Sequence, residues 1–132
     1  MDTTIAKQRP HRRSNPRKKI ESGIQKNCVK WFWYQYRSKG YLIYAIPNGG
    51  LRSKAEAAIM SGEGVLAAMP DLHIPVSNGK FLTLYIEMKK PGQTWGPEQK
   101  LRRDELRALG HCVELAHSLE EFIRIVNDYF HD

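Results

Sequence analysis

Apolar residues recur at helical spacing early in the chain. Ile20, Ile24, Cys28 and Trp31 step by three or four positions, and Phe32 and Tyr36 widen their stripe. This spacing predicts an amphipathic helix over residues 20–37, with Ser38, Lys39 and Gly40 as its stop. Glu21 and Gln25 sit four apart and share a face beside the stripe. The pattern then shortens. Residues 41–46, YLIYAI, read as a β-rich run closed by the turn sequence Pro47, Asn48, Gly49, Gly50. Residues 54–60 form a short Ala-rich helical stretch stopped by Gly62 and Gly64. Residues 71–76 alternate like a short strand. Asn78 and Gly79 introduce a longer strand over 81–89, which ends at Pro91 and Gly92. Residues 98–109 return to helical spacing and stop at Gly110. A short strand over 111–116 follows. Ser118, with Glu121 three positions on, opens a last helix as a capping box. That helix is expected to bury Phe122, Ile123, Val126, Tyr129 and Phe130. The principal elements read α-β-β-β-α-β-α, with no internal repeat.

Charge changes the picture because it is unevenly placed. The chain has 132 residues, room for one domain, and a formal charge of +7. Residues 1–19 carry seven Lys or Arg and one acid, and lack hydrophobic periodicity. They read as a flexible basic arm of the kind that contacts polyanions, with Arg12, Arg13, Arg17, Lys18 and Lys19 as its nucleic-acid candidates. Residues 20–132 form the folded body. From residue 41 on, twelve acids outnumber ten bases, so the body itself is nearly neutral. Two cysteines, Cys28 and Cys112, give no disulfide framework and no metal knuckle. No apolar run approaches the roughly 20 residues that span a bilayer, and no apolar segment follows the basic N-terminus as a secretory signal requires. The expected setting is cytoplasmic, without membrane or small-molecule cofactor.

The sharpest chemical signal is Pro70–Asp71, followed after fifteen intervening residues by Glu87, Met88 and Lys89. Side chains two apart on a strand face the same way, so Glu87 and Lys89 share a face with Tyr85, and Leu84 and Ile86 occupy the other. A carboxylate at the start of one strand and a carboxylate–lysine pair late in its neighbour can converge. Two hard oxygen ligands suit Mg²⁺, and a lysine beside them can orient a water or neutralise charge on a phosphate. Glu87 lies within the apolar run LTLYIEM, and a buried carboxylate needs a partner. His73 shares the parity of Asp71 and reads either as a packed strand histidine or as a neighbour of that site. The dense aromatics Trp31, Phe32, Trp33, Tyr34 and Tyr36 exceed what one core-facing stripe uses. The excess reads as a dimer surface in preference to a base-stacking platform. Trp95 lies in the loop before Gln99.

With those residues in view, GVLAAMPDL (64–72), YIEMK (85–89) and the Glu98–Gln99 pair resemble the PD-(D/E)XK nuclease superfamily, and within it the VRR-NUC group of virus-type replication-repair nucleases. The resemblance runs from about Glu21 to the last helix. It implies an α/β (α+β) fold with a restriction-endonuclease-like core, a central four-stranded mixed sheet flanked by helices. It implies Asp71, Glu87, the Met88 carbonyl and Glu21 around Mg²⁺ or Mn²⁺, Lys89 as the catalytic lysine, and Gln99 near it. Asn48 and Arg52 match a polar segment beside the site, and Lys54 follows them as a further nucleic-acid candidate. The group usually has glycine where Ala68 stands and often valine where Met88 stands. The activity implied is a structure-selective DNA endonuclease, acting as a homodimer on branched DNA such as four-way junctions. The alternatives are a nonspecific or restriction-type nuclease on the same fold, or a DNA-binding protein without catalysis.

Overall fold

A computed structural model describes residues 16–47 and 53–131, with side chains from Ser22 onward. Among these, helix α1 (Pro16–Tyr36) runs into a 3-10 turn (Arg37–Lys39), which Gly40 closes at a φ of 74°. Then follow β1 (Tyr44–Ala45), α2 (Lys54–Gly62), β2 (Leu72–Ile74), β3 (Leu84–Met88), α3 (Pro97–Ala108), β4 (Cys112–Ala116) and α4 (Leu119–Phe130). Several boundaries differ from the expectation: β1 keeps two of residues 41–46, β2 three of 71–76 and β3 five of 81–89. The helix α1 starts at Pro16, inside the stretch assigned to the arm, where proline's fixed φ suits the first helical position. The Ala-rich stretch is a full helix, α2, inserted between the first two strands. Ser53 caps it, its hydroxyl accepting from the Glu56 amide at 3.1 Å. The side chain of Glu21, the side chains of Arg17, Lys18 and Lys19, and the whole of Arg12, Arg13, Asn48 and Arg52 lie outside what is described.

The four strands form one mixed sheet in the order β1-β2-β3-β4. The first three are antiparallel, with Leu72 opposite Ile86 and His73 opposite Tyr85. β4 runs parallel to β3, with Glu87 opposite Leu115. Parallel neighbours need a crossover, and α3 supplies it. Alternation then gives the sheet two different faces. Leu72, Ile74, Leu84, Ile86, Met88 and Ala116 line one face. Cys28, Phe32 and Tyr36 of α1, with Phe122, Val126 and Tyr129 of α4, complete that core. Ile123 and Phe130 are only half-buried, because α4 has one buried side and those two sit at its margins. The opposite face carries His73, Tyr85, Glu87, Val113 and Leu115. α3 packs beside β4 there, where Leu106 and Val113 are buried.

Candidate active site

The β3-α3-β4 crossover brings the start of α3 to the carboxyl end of β3, the usual position of a ligand site in such a unit. Glu87 and Lys89 lie at that end. The antiparallel ladder between β2 and β3 stops at Leu72 and Ile86. Beyond it, the Asp71 carboxylate takes the place of a strand, its Oδ2 accepting from the Met88 amide at 2.8 Å. The sequence order Pro-Asp is suited to this. Proline ends no ladder bond of its own, and the next side chain is free to turn back onto β3.

Glu87 is 4% exposed. Its Oε1 lies 4.0 Å from the Lys89 Nζ and accepts from the Gln99 Nε2 at 3.3 Å. Gln99 is itself oriented, because its Oε1 accepts from the Gly96 amide at 2.8 Å. That bond fixes which end of the amide faces Glu87. It also explains why position 96 is glycine: a Cβ there would stand 3.3 Å from the Gln99 Oε1 and crowd it. Asp71, Glu87, Met88, Lys89 and Gln99 line one cleft of about 1110 Å³. Its other wall is apolar, made by Ala57 and Met60 of α2 and by Val65, Leu66 and Met69 of the following loop.

Two further residues, absent from the expected set, hold this arrangement. Arg102 on α3 donates through Nη2 to the Ala67 carbonyl at 3.2 Å and so ties the two walls of the cleft together. Thirty-five residues separate the pair, so no local pattern reveals it. When protonated, His117 donates from both ring nitrogens, Nδ1 to Glu121 Oε2 at 2.9 Å and Nε2 to the Gln93 carbonyl at 2.6 Å. The Gln93 contact is the larger cause of the rise in its pKa above the ordinary value, with Glu121 adding to it. It clamps the loop that leads from Lys89 to Gly96. The capping box at Ser118 announced Glu121 as a cap. The Ser118 hydroxyl does accept from the Glu121 amide at 3.1 Å, while the Glu121 carboxylate reaches one residue further back than the box requires and accepts from the His117 amide at 2.7 Å.

Other candidates are placed elsewhere. His73 stacks on Tyr85, ring centroids 4.0 Å apart, and bonds Tyr44 and Thr83. It is a packed strand histidine and does not line the cleft. The Trp95 ring sits under the Arg103 guanidinium at 5.4 Å. Lys54 is exposed at the start of α2. Trp31, Phe32, Trp33 and Tyr36 belong to or pack on the core, which leaves Tyr34 as the exposed aromatic of the cluster. Burial pushes the Cys28 thiol up to about 12 and Cys112 to about 11, so both are protonated, unreactive packing groups at neutral pH.

The chemistry of the donor set fits a hard divalent cation. Asp71 and Glu87 offer carboxylate oxygens at one cleft, and Mg²⁺ typically takes one or two carboxylates and keeps its waters. Among the described residues, no group of three His, Cys, Asp or Glu side chains converges as a metal cluster. Two carboxylates with a lysine and an amide beside them suit Mg²⁺ or Mn²⁺ better than zinc.

A mixed four-stranded sheet with flanking helices, and acids at the divergence of β2 and β3, define an α+β fold with a PD-(D/E)XK-like core. The particular fold is that of the VRR-NUC domain. A solved structure titled "VRR_NUC domain protein" superposes with a TM-score of 0.69 and 28% identity, covering 83% of this chain and 86% of that one. A second, titled "VRR_NUC domain", gives 0.55 at 18% identity over 83% of this chain and 96% of that one. No family model and no curated protein sequence matches the chain. No described helix is long and apolar enough to cross a membrane.

Proposed function

We propose that this chain is a divalent-metal-dependent DNA endonuclease that hydrolyses phosphodiester bonds, with branched DNA such as four-way junctions as its preferred substrate. The observation that carries the reading is the convergence of Asp71, Glu87, Lys89 and Gln99 in one cleft of a VRR-NUC fold. Asp71 and Glu87, with the Met88 carbonyl and Glu21, are the groups that would hold Mg²⁺ or Mn²⁺. The bound cation supplies Lewis-acid activation of a phosphate and a lowered pKa for an attacking water. The chain's own residues do the rest. Lys89, 4.0 Å from Glu87, holds or deprotonates the attacking water and offsets the charge that develops on the phosphate. Gln99, locked by the Gly96 amide, keeps the Glu87 carboxylate in one orientation. Asn48, Arg52, Lys54 and the basic arm, with Arg12, Arg13, Arg17, Lys18 and Lys19, contact the DNA backbone and position it without reading sequence. Cutting two strands symmetrically requires two sites related by a two-fold axis, so the working form is a homodimer.

The test is cleavage of labelled junction, flap and plain duplex DNA with Mg²⁺, with Mn²⁺ and with EDTA. The expected result is metal-dependent cutting, strongest on the junction and lost in Lys89→Ala. No cutting by the natural sequence, or equal cutting by Lys89→Ala, overturns the proposal. Equal cutting of duplex and junction leaves a nuclease but removes the substrate preference.

A further inference from the structure

Helix α1 has a second side that the core uses only at its margin, where the half-buried Trp33 packs against it. Its buried positions are Cys28, Phe32 and Tyr36, each one turn from the next. On the side away from them, Lys26, Lys30, Trp33 and Arg37 fall at intervals of four, three and four residues, with Tyr34 beside them. Such intervals place side chains on one stripe. Lys30, Trp33, Tyr34, Arg37 and Ser38 line a shallow groove along it. Tyr34 is 91% exposed, whereas Phe32 and Tyr36 on the same helix are at 0% and 3%. No acid occurs between Ser22 and Gly40. The helix packs on the sheet face opposite Glu87 and Lys89, and the groove shares no residue with the catalytic cleft.

We infer that this stripe is a second nucleic-acid site, a stacking platform for unpaired nucleotides in which Trp33 and Tyr34 take base faces and Lys26, Lys30 and Arg37 take phosphates. The inference rests on the nuclease reading for its substrate class and goes further by naming where a single strand lies. One exposed ring, Tyr34, beside a half-exposed one, Trp33, with cations flanking both, is the composition that sequence-tolerant single-strand binding uses, since every base has a π-face and every linkage a charge. Length agrees with this. Lys30 and Arg37 are seven residues apart, about 10 Å along the helix axis, and three stacked nucleotides span about the same distance at roughly 3.4 Å each. A paired duplex hides its base faces and gains nothing from a ring as exposed as Tyr34. A two-fold contact through this stripe sets Lys30 and Arg37 against their own copies with no acid to receive them, which costs binding energy. A flapped or splayed substrate therefore has two holds, duplex at the cleft and unpaired strand around the sheet edge on α1, whereas a fully paired four-way junction engages the platform only where pairs open at its branch point.

The experiment is fluorescence anisotropy of the full chain with labelled oligo-dT, a splayed-arm duplex and a fully paired duplex, in EDTA so that nothing is cut. Sedimentation of each variant accompanies it. Tyr34→Ala and the pair Lys30→Gln with Arg37→Gln are expected to weaken oligo-dT and splayed-arm binding by about fivefold to a hundredfold, the size of one lost base stack. Affinity for paired duplex is expected to stay within about twofold. Oligo-dT is also expected to quench a tryptophan signal that disappears in Trp33→Phe. Oligo-dT affinity unchanged in Tyr34→Ala overturns the inference, as does a shift in oligomeric state caused by the same variant, which makes the stripe a dimer contact. If the natural sequence cuts junctions while these variants bind like it, only the platform fails. If it binds oligo-dT through Tyr34 but cuts nothing, only the nuclease reading fails.

Discussion

The polar face of the sheet has two ends, and they are built on opposite principles. At one end Tyr44, His73, Thr83 and His111 form a chain. The Tyr44 hydroxyl meets His73 Nδ1 at 2.6 Å, His73 Nε2 meets Thr83 Oγ1 at 2.9 Å, and Thr83 Oγ1 meets His111 Nδ1 at 2.6 Å. With His73 neutral, all three contacts are satisfied with the donors running in one direction along the chain, for instance tyrosine to the ring, the ring to threonine and threonine to the second ring. Tyr85 closes the network, stacked on His73 and edge-on to His111. At the other end a buried carboxylate, Glu87, stands 4.0 Å from a lysine beside an open cleft. The first end binds its polar groups to each other. The second aims them at a common space. Burying polar groups is costly in both places, but only the second end keeps them available to a ligand.

Substitutions break this contrast in opposite ways. The largest expected effect is on catalysis at the cleft end. Lys89→Ala is expected to lower the rate of junction cleavage by about 10²- to 10⁴-fold. Glu87→Gln is expected to do so at least as severely, because it removes one of the two carboxylates proposed to hold the cation. Glu87→Gln is expected to leave the melting temperature near that of the natural sequence, since the neutral amide keeps an oxygen for Gln99 and folding no longer has to desolvate a charge there, whereas Lys89→Ala is expected to lower it by removing the cationic side chain beside the buried Glu87. Cleavage rates and thermal melts on the same preparations check both halves. A large stability loss in Glu87→Gln makes the carboxylate a structural group and erases the difference between the two ends.

The next effect lies at the closed end and has the reverse profile. His73→Ala removes the middle of the hydrogen-bonded chain and leaves Thr83 and Tyr44 short of partners. It is expected to destabilise the fold by about 1–3 kcal/mol, with cleavage by the folded fraction unchanged. Urea titration and turnover at a temperature well below the melt measure the two. If cleavage falls with stability intact, His73 acts on the site after all.

The two ends also titrate in opposite directions. Burial, with His111 adding to it, lowers the His73 pKa to about 4. Hydrogen bonding to Gln93, with Glu121 adding to it, raises that of His117 above the ordinary value. A depressed histidine pKa means the unfolded chain takes up a proton first. The stability linked to His73 is thus present above pH about 6.5 and is lost as pH falls toward about 4. The raised pKa of His117 means the folded chain holds its proton longer. Its contribution is present below pH about 6.5 and is lost as pH rises through the folded value. Ring-proton NMR is expected to show one histidine still neutral at pH 5 and another whose titration lies above the ordinary histidine value. Coincident titration of the two near the ordinary value removes the electrostatic side of the comparison.

Which residues meet at the cleft end was more legible in the sequence than the architecture of the closed end, for a physical reason. Asp71, Glu87 and Lys89 follow from strand parity, which is local, and a turn places them together. The inserted helix α2 was legible as an Ala-rich stretch, but its role as the apolar cleft wall was not, because Met60 and Leu66 face the site only through the loop that follows. The chain from Tyr44 to His111 joins four segments, and the grip of Arg102 on Ala67 joins two. No period in the sequence encodes such contacts. Aromatic density in α1 overstated the exposed surface because Trp31, Phe32 and Tyr36 pack inward, which only the buried neighbours on α4 and the sheet decide.

The smallest effect concerns the backbone that delivers Asp71. Ala68 has a φ of 61°, the one described non-glycine residue in the left-handed region. It lies three positions before Asp71 and lines the cleft. An L-residue in that conformation costs roughly 1–2 kcal/mol, which accounts for glycine being the usual residue there in the group this sequence resembles. The Arg102 bonds to Ala67 hold the segment in that conformation. Ala68→Gly relieves the strain and adds freedom to the unfolded chain, and the two partly cancel. The expected gain is therefore about 1 kcal/mol or less, read as a small rise in the urea midpoint. Arg102→Ala is expected to lower cleavage in the Ala68 protein more than in the Ala68→Gly protein, because only the former needs a grip to stay in the left-handed region. Equal losses in the two backgrounds show that Arg102 acts on something other than the strained turn.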